Sequence, residues 1–397
     1  MRVAHIITGL GVGGAEQQLR LLLRHLPATC DVITLTEDGT VAAGLRADGV
    51  RVTCLGMAGN RDLTVLPRLV QLIRDGSYDV VHTHLYRACV YGRTAARLAG
   101  VRAVVATEHS LGVRQMEGRP LTRGTRALYL ATERLGSATI AVSETVARRL
   151  RAWGVPPARL HVVPNGVDAH RLSFRPQARA ALRTRLALPA DAFVVAGAGR
   201  LVPGKDFPAL LHAVAALPDA HLLLAGDGPG RVALRARAAA LGVADRVHLL
   251  GECHGAVAPV PAGGTGIADV LSAADVFVSA SAEETFGLTV LEALAAGLPA
   301  LYAACPALEG LPPEYAPGAR RIRPGTEETT TALRALRVAG PARLPVPPAV
   351  HHYDVARGAQ RVMALYRELA GLPPAPPKVR LPSTPRPVTT DLTLNKR

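Results

Sequence analysis

The sequence predicts an α/β protein: two Rossmann-like, doubly wound parallel-sheet domains facing each other across a cleft. Three observations carry this. Short apolar runs rich in Val, Ile and Leu alternate with amphipathic helical stretches. The alternation occurs twice, with a break near 164-PNGVDAHRLSFRP-176. Glycines cluster where strands run into helices, at 9-GLGVGGAE-16 and around Gly199.

In order along the chain, strands are expected at 2–8, 31–36, 50–55, 79–84, 103–109 and 138–143, with helices such as 15–26 and 65–76 between them. The second series runs through 193–199, 220–226, 246–251, 275–281 and 299–303, with a helix at 207–217. An amphipathic helix over 352–370 follows. The expected division is a first domain at 1–168, a second at 169–350, a helix at 351–370 that crosses back to the first, and a disordered Pro-rich tail at 371–397. The apolar N-terminus lacks a small-residue cleavage site and reads as a buried first strand.

Composition narrows the function classes. Hydrophobic residues make up 49% of 397, the mean hydropathy is +0.19, and no apolar run is long enough to span a membrane. Cys30, Cys54, Cys89, Cys253 and Cys305 are scattered without a CxxC pair, which predicts reduced thiols and no structural zinc. The net charge of +15 points to an anionic partner. Aromatic content of 4% argues against nucleic acid, because stacking platforms are missing. Of 46 basic residues only Lys205, Lys378 and Lys396 are lysines, so the folded part uses lysine once.

Parallel sheets bind ligands beyond the carboxyl ends of their strands. The first strand delivers a glycine turn that suits a phosphate or a dinucleotide, with Glu37 or Asp38 as the ribose-binding acid in the latter case. The second half delivers Gly199, Arg200 and Lys205, then 282-AEETFGLTVLEALAAG-297. A helix is expected from Leu288 to the terminator Gly297, with free amides at Leu288 and Thr289. Glu284 precedes that end and Glu292 lies one turn inside it. Two cations, free amides and two carboxylates suit a nucleotide diphosphate carrying hydroxylated sugars. Asp168 is expected to cap a turn. His82 and His84 alternate on one strand, so a metal pair there would need further ligands, and no metal site is expected.

The segments 281-SAEETFGLTVLEA-293, 164-PNGVD-168, 199-GRLVPGKDF-207, 225-AGDGPGR-231 and 13-GGAE-16 resemble the motifs of the family-4 retaining glycosyltransferases, which have the GT-B fold and an E-x7-E signature. The motifs stand in the family's order over roughly 1–370. The resemblance implies that Arg200 and Lys205 hold the donor diphosphate and that Gly13 and Gly14 close over it. It implies that Glu284 meets the sugar hydroxyls, that the backbone of Phe286, Gly287, Leu288 and Thr289 binds sugar and phosphate, and that Glu292 takes the ribose diol. His109 matches the histidine beside the transferred sugar, so His109, Glu284, Arg200 and Lys205 form the catalytic set.

The implied reaction moves a hexose-type residue from a nucleotide sugar to a hydroxyl with retention, without a metal or cofactor. The donor expected first is UDP-linked, then GDP-linked. No DxD-type metal motif is present. Assembly of cell-surface polysaccharide, glycolipid or a natural product is the expected setting. The acceptor side is assigned to His84 and Arg114. The basic, apolar stretch 112–136 suggests a lipid-linked acceptor and a cytoplasmic enzyme resting on the anionic inner face of the membrane. Departures from the family pattern are the long 252–270 segment, 304-ACPALEGLPPE-314 and Thr285. A GT-B epimerase or phosphorylase, an NAD-dependent oxidoreductase and a non-catalytic basic binding protein stay open as alternatives.

Overall fold

A computed structural model describes residues 1–373 apart from 12, 118, 254, 256–263 and 341. The tail beyond 373 and most of the long 252–270 insertion's first half thus lie outside the described residues.

The first sheet has seven strands. They are β1 (Arg2–Ile7), β2 (Thr29–Thr34), β3 (Arg51–Cys54), β4 (Val80–His84), β5 (Ala103–Glu108), and, after a short antiparallel pair β6 (Gln115–Met116) and β7 (Arg119–Pro120), β8 (Ala138–Ala141) and β9 (Leu160–Val162). Their order is β3-β2-β1-β4-β5-β8-β9, all parallel. The second sheet contains β10 (Phe193–Ala198), β11 (Ala220–Ala225), β12 (Val247–Gly251), β13 (Val276–Ser279), β14 (Ala300–Tyr302) and β15 (Ala319–Arg321). It runs β12-β11-β10-β13-β14-β15, also parallel.

Burial on both faces explains the near-continuous apolar strands. Val3, Ala4, Ile6 and Ile7 of β1, and every residue of β11, are buried. The helix Leu288–Ala295 places Val290, Leu291, Ala293 and Leu294 in the second core. It stops at Ala296, followed by Gly297 at φ +73°, as the left-handed terminator requires. Asp168 caps Ala169–Leu172, accepting from the Arg171 N–H.

Strand order reverses at β1/β4 in the first sheet and at β10/β13 in the second. Those are the switch points where open sheets part and make a crevice. The last helix, Val355–Leu369, packs against Gly14–His25, and its Val362, Met363 and Tyr366 share a core with Val3, Val80 and Val105.

Candidate active site

The β10/β13 switch point is built for close backbone approach. Gly199 (φ +145°) and Gly226 (φ +134°) end β10 and β11 side by side. A Cβ on Gly226 would fall 2.0 Å from the Gly199 carbonyl oxygen. The Lys205 stem runs past Gly199, whose added Cβ would sit 3.4 Å from its Cε. Lys205 follows Pro203 in a single 3-10 turn and ends in an ion pair: its Nζ donates to Glu284 Oε1 at 2.5 Å. The lysine after β10 and the glutamate after β13 thereby meet across the switch point.

Gly287 (φ +96°) sets the first turn of the Leu288–Ala295 helix, and its Cα side packs on Cys305 so tightly that a Cβ would lie 2.4 Å from the sulfur. Free amides at Leu288 and Thr289 follow from any helix start. Gly13, Gly14, Arg200, Leu288, Thr289 and Glu292 line one cavity of about 170 Å³ between the two domains. Burial lifts the Glu292 carboxyl to about 7. Glu16 is also lifted to about 7, chiefly by burial, with Glu117 adding to the rise and Arg200 opposing it. Its carboxylate curls over Gly13, where a Cβ would clash with it at 2.2 Å.

Other expected site residues stand elsewhere. Phe286 is buried against Tyr353, edge to face at 5.1 Å, so its backbone alone can face a ligand. His109 and His84 lie under the surface and line a separate cavity of about 50 Å³ with Thr107, Gln18 and Asn165. His84, 1% exposed, reaches no larger opening. Arg114 is exposed on the outer side of the 112–116 turn.

The larger N-domain cavity, about 410 Å³, sits at the β1/β4 switch point. It is lined by Thr8, Tyr86, Arg87, Tyr91, Met116 and Thr125, among others. Leu85, just before it, takes φ +73°, a conformation that costs of order 1–3 kcal/mol in a non-glycine residue and clusters at ligand sites. Tyr86 and Tyr91 carry no motif, so sequence reading passed them by.

Sequence reading also missed the cross-cleft contacts. Glu283 accepts from Val113 N–H at 2.5 Å and pairs with Arg149 at 2.9 Å, and Ser143 Oγ–H donates to the Thr285 carbonyl at 2.6 Å. The unexpected Thr285 is thus held through its backbone.

His82 gains a third imidazole beside it that the sequence did not offer as a ligand. His5, His82 and His84 bring ring nitrogens within 4.8 Å of one another, all three buried. Among the described residues no helix is long and apolar enough to cross a membrane.

Residues 12–171 match the family model for glycosyltransferase family 4, and residues 178–311 match that for glycosyl transferases group 1. Together they cover well over half of the chain. An Escherichia coli UDP-Gal:alpha-D-GlcNAc-diphosphoundecaprenol alpha-1,3-galactosyltransferase is 29% identical over 267 residues, covering 65% of this chain and 66% of that enzyme. A D-inositol 3-phosphate glycosyltransferase of Catenulispora acidiphila is 33% identical over 276 residues, 62% of each chain. The chain thus spans just under two thirds of these curated relatives. Among solved structures, Anabaena HepE in complex with UDP and glucose superposes with a TM-score of 0.79 at 22% identity, over 94% of this chain and all of that one. Sucrose-phosphate synthase from Thermosynechococcus elongatus does so at 0.73 and 20%, with the same coverage. These likenesses fix the two-domain GT-B fold, and with the family models they show that the chain belongs to glycosyltransferase family 4.

Proposed function

We propose that the protein is a retaining, metal-independent hexosyltransferase that takes its sugar from a UDP-linked donor. The observation that carries this is the convergence at the β10/β13 switch point: Arg200, the Lys205–Glu284 pair, the open end of the Leu288 helix and Glu292, faced by Gly13 and Gly14. Arg200 and Lys205 neutralise the diphosphate as the glycosidic bond breaks, and helix amides add fixed dipoles that need no reorganisation. Glu292 accepts from the ribose diol, and Glu284 from sugar hydroxyls. The leaving phosphate accepts the acceptor's proton on the face it has just left, which keeps the configuration. HepE with bound UDP and glucose supports UDP over GDP.

The acceptor hydroxyl enters from the 410 Å³ cavity, whose mixture of Tyr86, Tyr91, Met116 and Arg87 suits a sugar or ring on an apolar carrier. The diphosphoundecaprenol acceptor named for the Escherichia coli relative supports a lipid-linked one. Leu128 lines that cavity and is 47% exposed, with the exposed Arg123 at the start of the same helix, and Val113, 67% exposed, stands beside the exposed Arg114 in the turn before Met116. They would rest on the membrane's anionic face.

A thermal-shift panel of UDP-, GDP-, ADP- and dTDP-sugars tests the donor: a ligand of the native state raises its melting temperature in proportion to RT ln(1+[L]/Kd). UDP-sugars should stand out, and a flat panel would sink the reading. Sedimentation with phosphatidylglycerol vesicles should be salt-sensitive and absent with neutral vesicles.

A further inference from the structure

Four histidines gather on one face of the first sheet. β1 and β4 pair in register with His5 opposite His82, and His84 lies two residues along on the same face. His109 follows β5. All four are at most 9% exposed, in a region otherwise filled by Val3, Val80, Val105 and the final helix. Polar rings placed in such a core cost stability unless they are paired, so their connections matter.

The connections form two separate sets. His82 is saturated: Nδ1 meets the Tyr366 hydroxyl at 2.5 Å and Nε2 meets Thr107 Oγ1 at 2.7 Å. That leaves a file of three rings. His5 Nδ1 meets His84 Nε2 at 3.1 Å, and His84 Nδ1 meets His109 Nε2 at 3.2 Å. The two ends, His5 Nε2 and His109 Nδ1, have no hydrogen-bond partner among the described residues.

A neutral imidazole has one N–H and one bare nitrogen. Burial holds these rings neutral near pH 7, with His5 lowered to about 3 and His109 to about 4. Two ring-to-ring hydrogen bonds then allow only two arrangements of the file. Either every N–H points toward His109 Nδ1, or every N–H points toward His5 Nε2. A mixed arrangement would set two donors or two bare nitrogens face to face.

We propose that His5 and His84 are positioning residues: through this file they couple the form of His109 Nδ1, proton donor or acceptor, to the buried rings behind it. The form of His109 Nδ1 and that of His5 Nε2, two rings away on the first strand, therefore change together. This rests on the proposed function, with His109 acting from the small cavity that shares Gln18 with the donor pocket. The same rings as a metal site fit less well, because both His82 nitrogens are already engaged.

The test is nitrogen-15 NMR of the ring-labelled, full-length protein together with transfer kinetics. In His5→Leu the His109 ring resonances should shift, because its proton is no longer coupled to the first strand. The kcat should fall roughly five- to tenfold, as for loss of one buried hydrogen bond, with the donor KM within about twofold. His5→Asn, whose amide reaches where Nδ1 stood and can donate or accept there, should keep the hydrogen bond and with it the kcat; His5→Gln, which reaches toward Nε2, should not. The last two variants decide the matter should His5→Leu fail to fold. Unchanged His109 resonances overturn the proposal, as does an unchanged kcat or a stoichiometric metal ion found by elemental analysis of the purified protein. If the wild type turns over no nucleotide sugar, the functional reading fails on its own, and the resonances alone decide whether the file is coupled.

Discussion

Lys205 shows what one residue choice accomplishes. Arginine serves this protein as a multi-acceptor clamp: Arg343 donates to the carbonyls of Leu271, Ser272, Ala274 and Ala296, Arg246 to three carbonyls, and Arg179 and Arg183 bracket Asp275. These arginines serve as internal scaffolding, which weakens charge as a sign of an anionic partner. At 205 the stem runs past Gly199 and a compact ammonium meets a single carboxylate oxygen, a point contact that does not call on arginine's planar fork. Lys205→Ala should lower kcat by about 100-fold or more, the scale of one preorganised charge donor, with the melting temperature nearly unchanged. Wild-type turnover would remove Lys205 from the mechanism. Glu292 makes a pH prediction. Its native carboxyl is lifted to about 7, above the ordinary value of 4.5, so the native state holds the proton more tightly than the unfolded chain. Its contribution to stability is present at low pH, is lost as pH rises from about 4.5 to 7, and is level above. A ribose diol donating to the carboxylate favours the charged form, so donor binding should tighten about tenfold between pH 6 and 8. Titration calorimetry should find this slope in the wild type and a flat profile in Glu292→Gln; equal slopes would clear Glu292. The comparison with Glu292→Gln is needed because Glu16 and Glu108 are lifted to a similar value.

Elements were legible where a pattern was long enough to read. Val65–Gly76 and the start of the Leu288 helix fall where periodicity and Gly297 put them. β9 and β15, three residues each, and the two-residue pair β6/β7 were not, because so short a run has no period. The cavity at β1/β4 was half legible: the topology predicts an opening there, but Tyr86 and Tyr91 read as ordinary helix residues. The histidine cluster was legible only in part. His82 and His84 alternate visibly, but His5 joins them through strand register, which is a pairing fact and not a sequence one. The glycine turn after the first strand reads as suited to phosphate approach, and the structure gives a different reason for glycine at the ends of β10 and β11. Backbone meets backbone at Gly199 and Gly226, with no flexible side chain to yield. Gly226→Ala should cost at least about 2 kcal/mol, combining strain at positive φ with a forced separation of β10 and β11. It should also abolish nucleotide binding, because Arg200 and Lys205 hang from that strand end. Gly242→Ala is the control: its φ is +67°, but nothing lies within 4 Å of the new Cβ, so only the backbone strain remains. Equal melting temperatures for the two variants would refute the packing argument.

At the scale of the whole molecule, the two domains are joined by few but well-directed contacts, and these bear on the competition between transfer and hydrolysis. Glu283 stands next to Glu284, the residue proposed to meet the sugar, yet points the other way, to Val113 and Arg149 of the first domain. Ser143 holds the neighbouring Thr285 carbonyl, and Gln18 hydrogen-bonds both the N–H and the carbonyl of Gly166 at the crossover. The segment proposed to cradle the donor is therefore also a contact between domains, and the proposed function makes closure and donor capture mechanically one event. A closed cleft excludes the water that would otherwise intercept the sugar. Glu283 is partly exposed, so its removal should not unfold the protein. Losing its two links weakens closure by about 1–2 kcal/mol, a factor of about 5–30 in the open-to-closed ratio. Glu283→Ala should accordingly raise the UDP released without acceptor, relative to the UDP released with it, by several-fold, and raise the donor KM alongside. Coupled UDP detection with and without acceptor measures that ratio directly. A ratio equal to that of the wild type would mean that the latch does not govern water entry, and that closure is carried by the final helix and the Gln18–Gly166 contact instead.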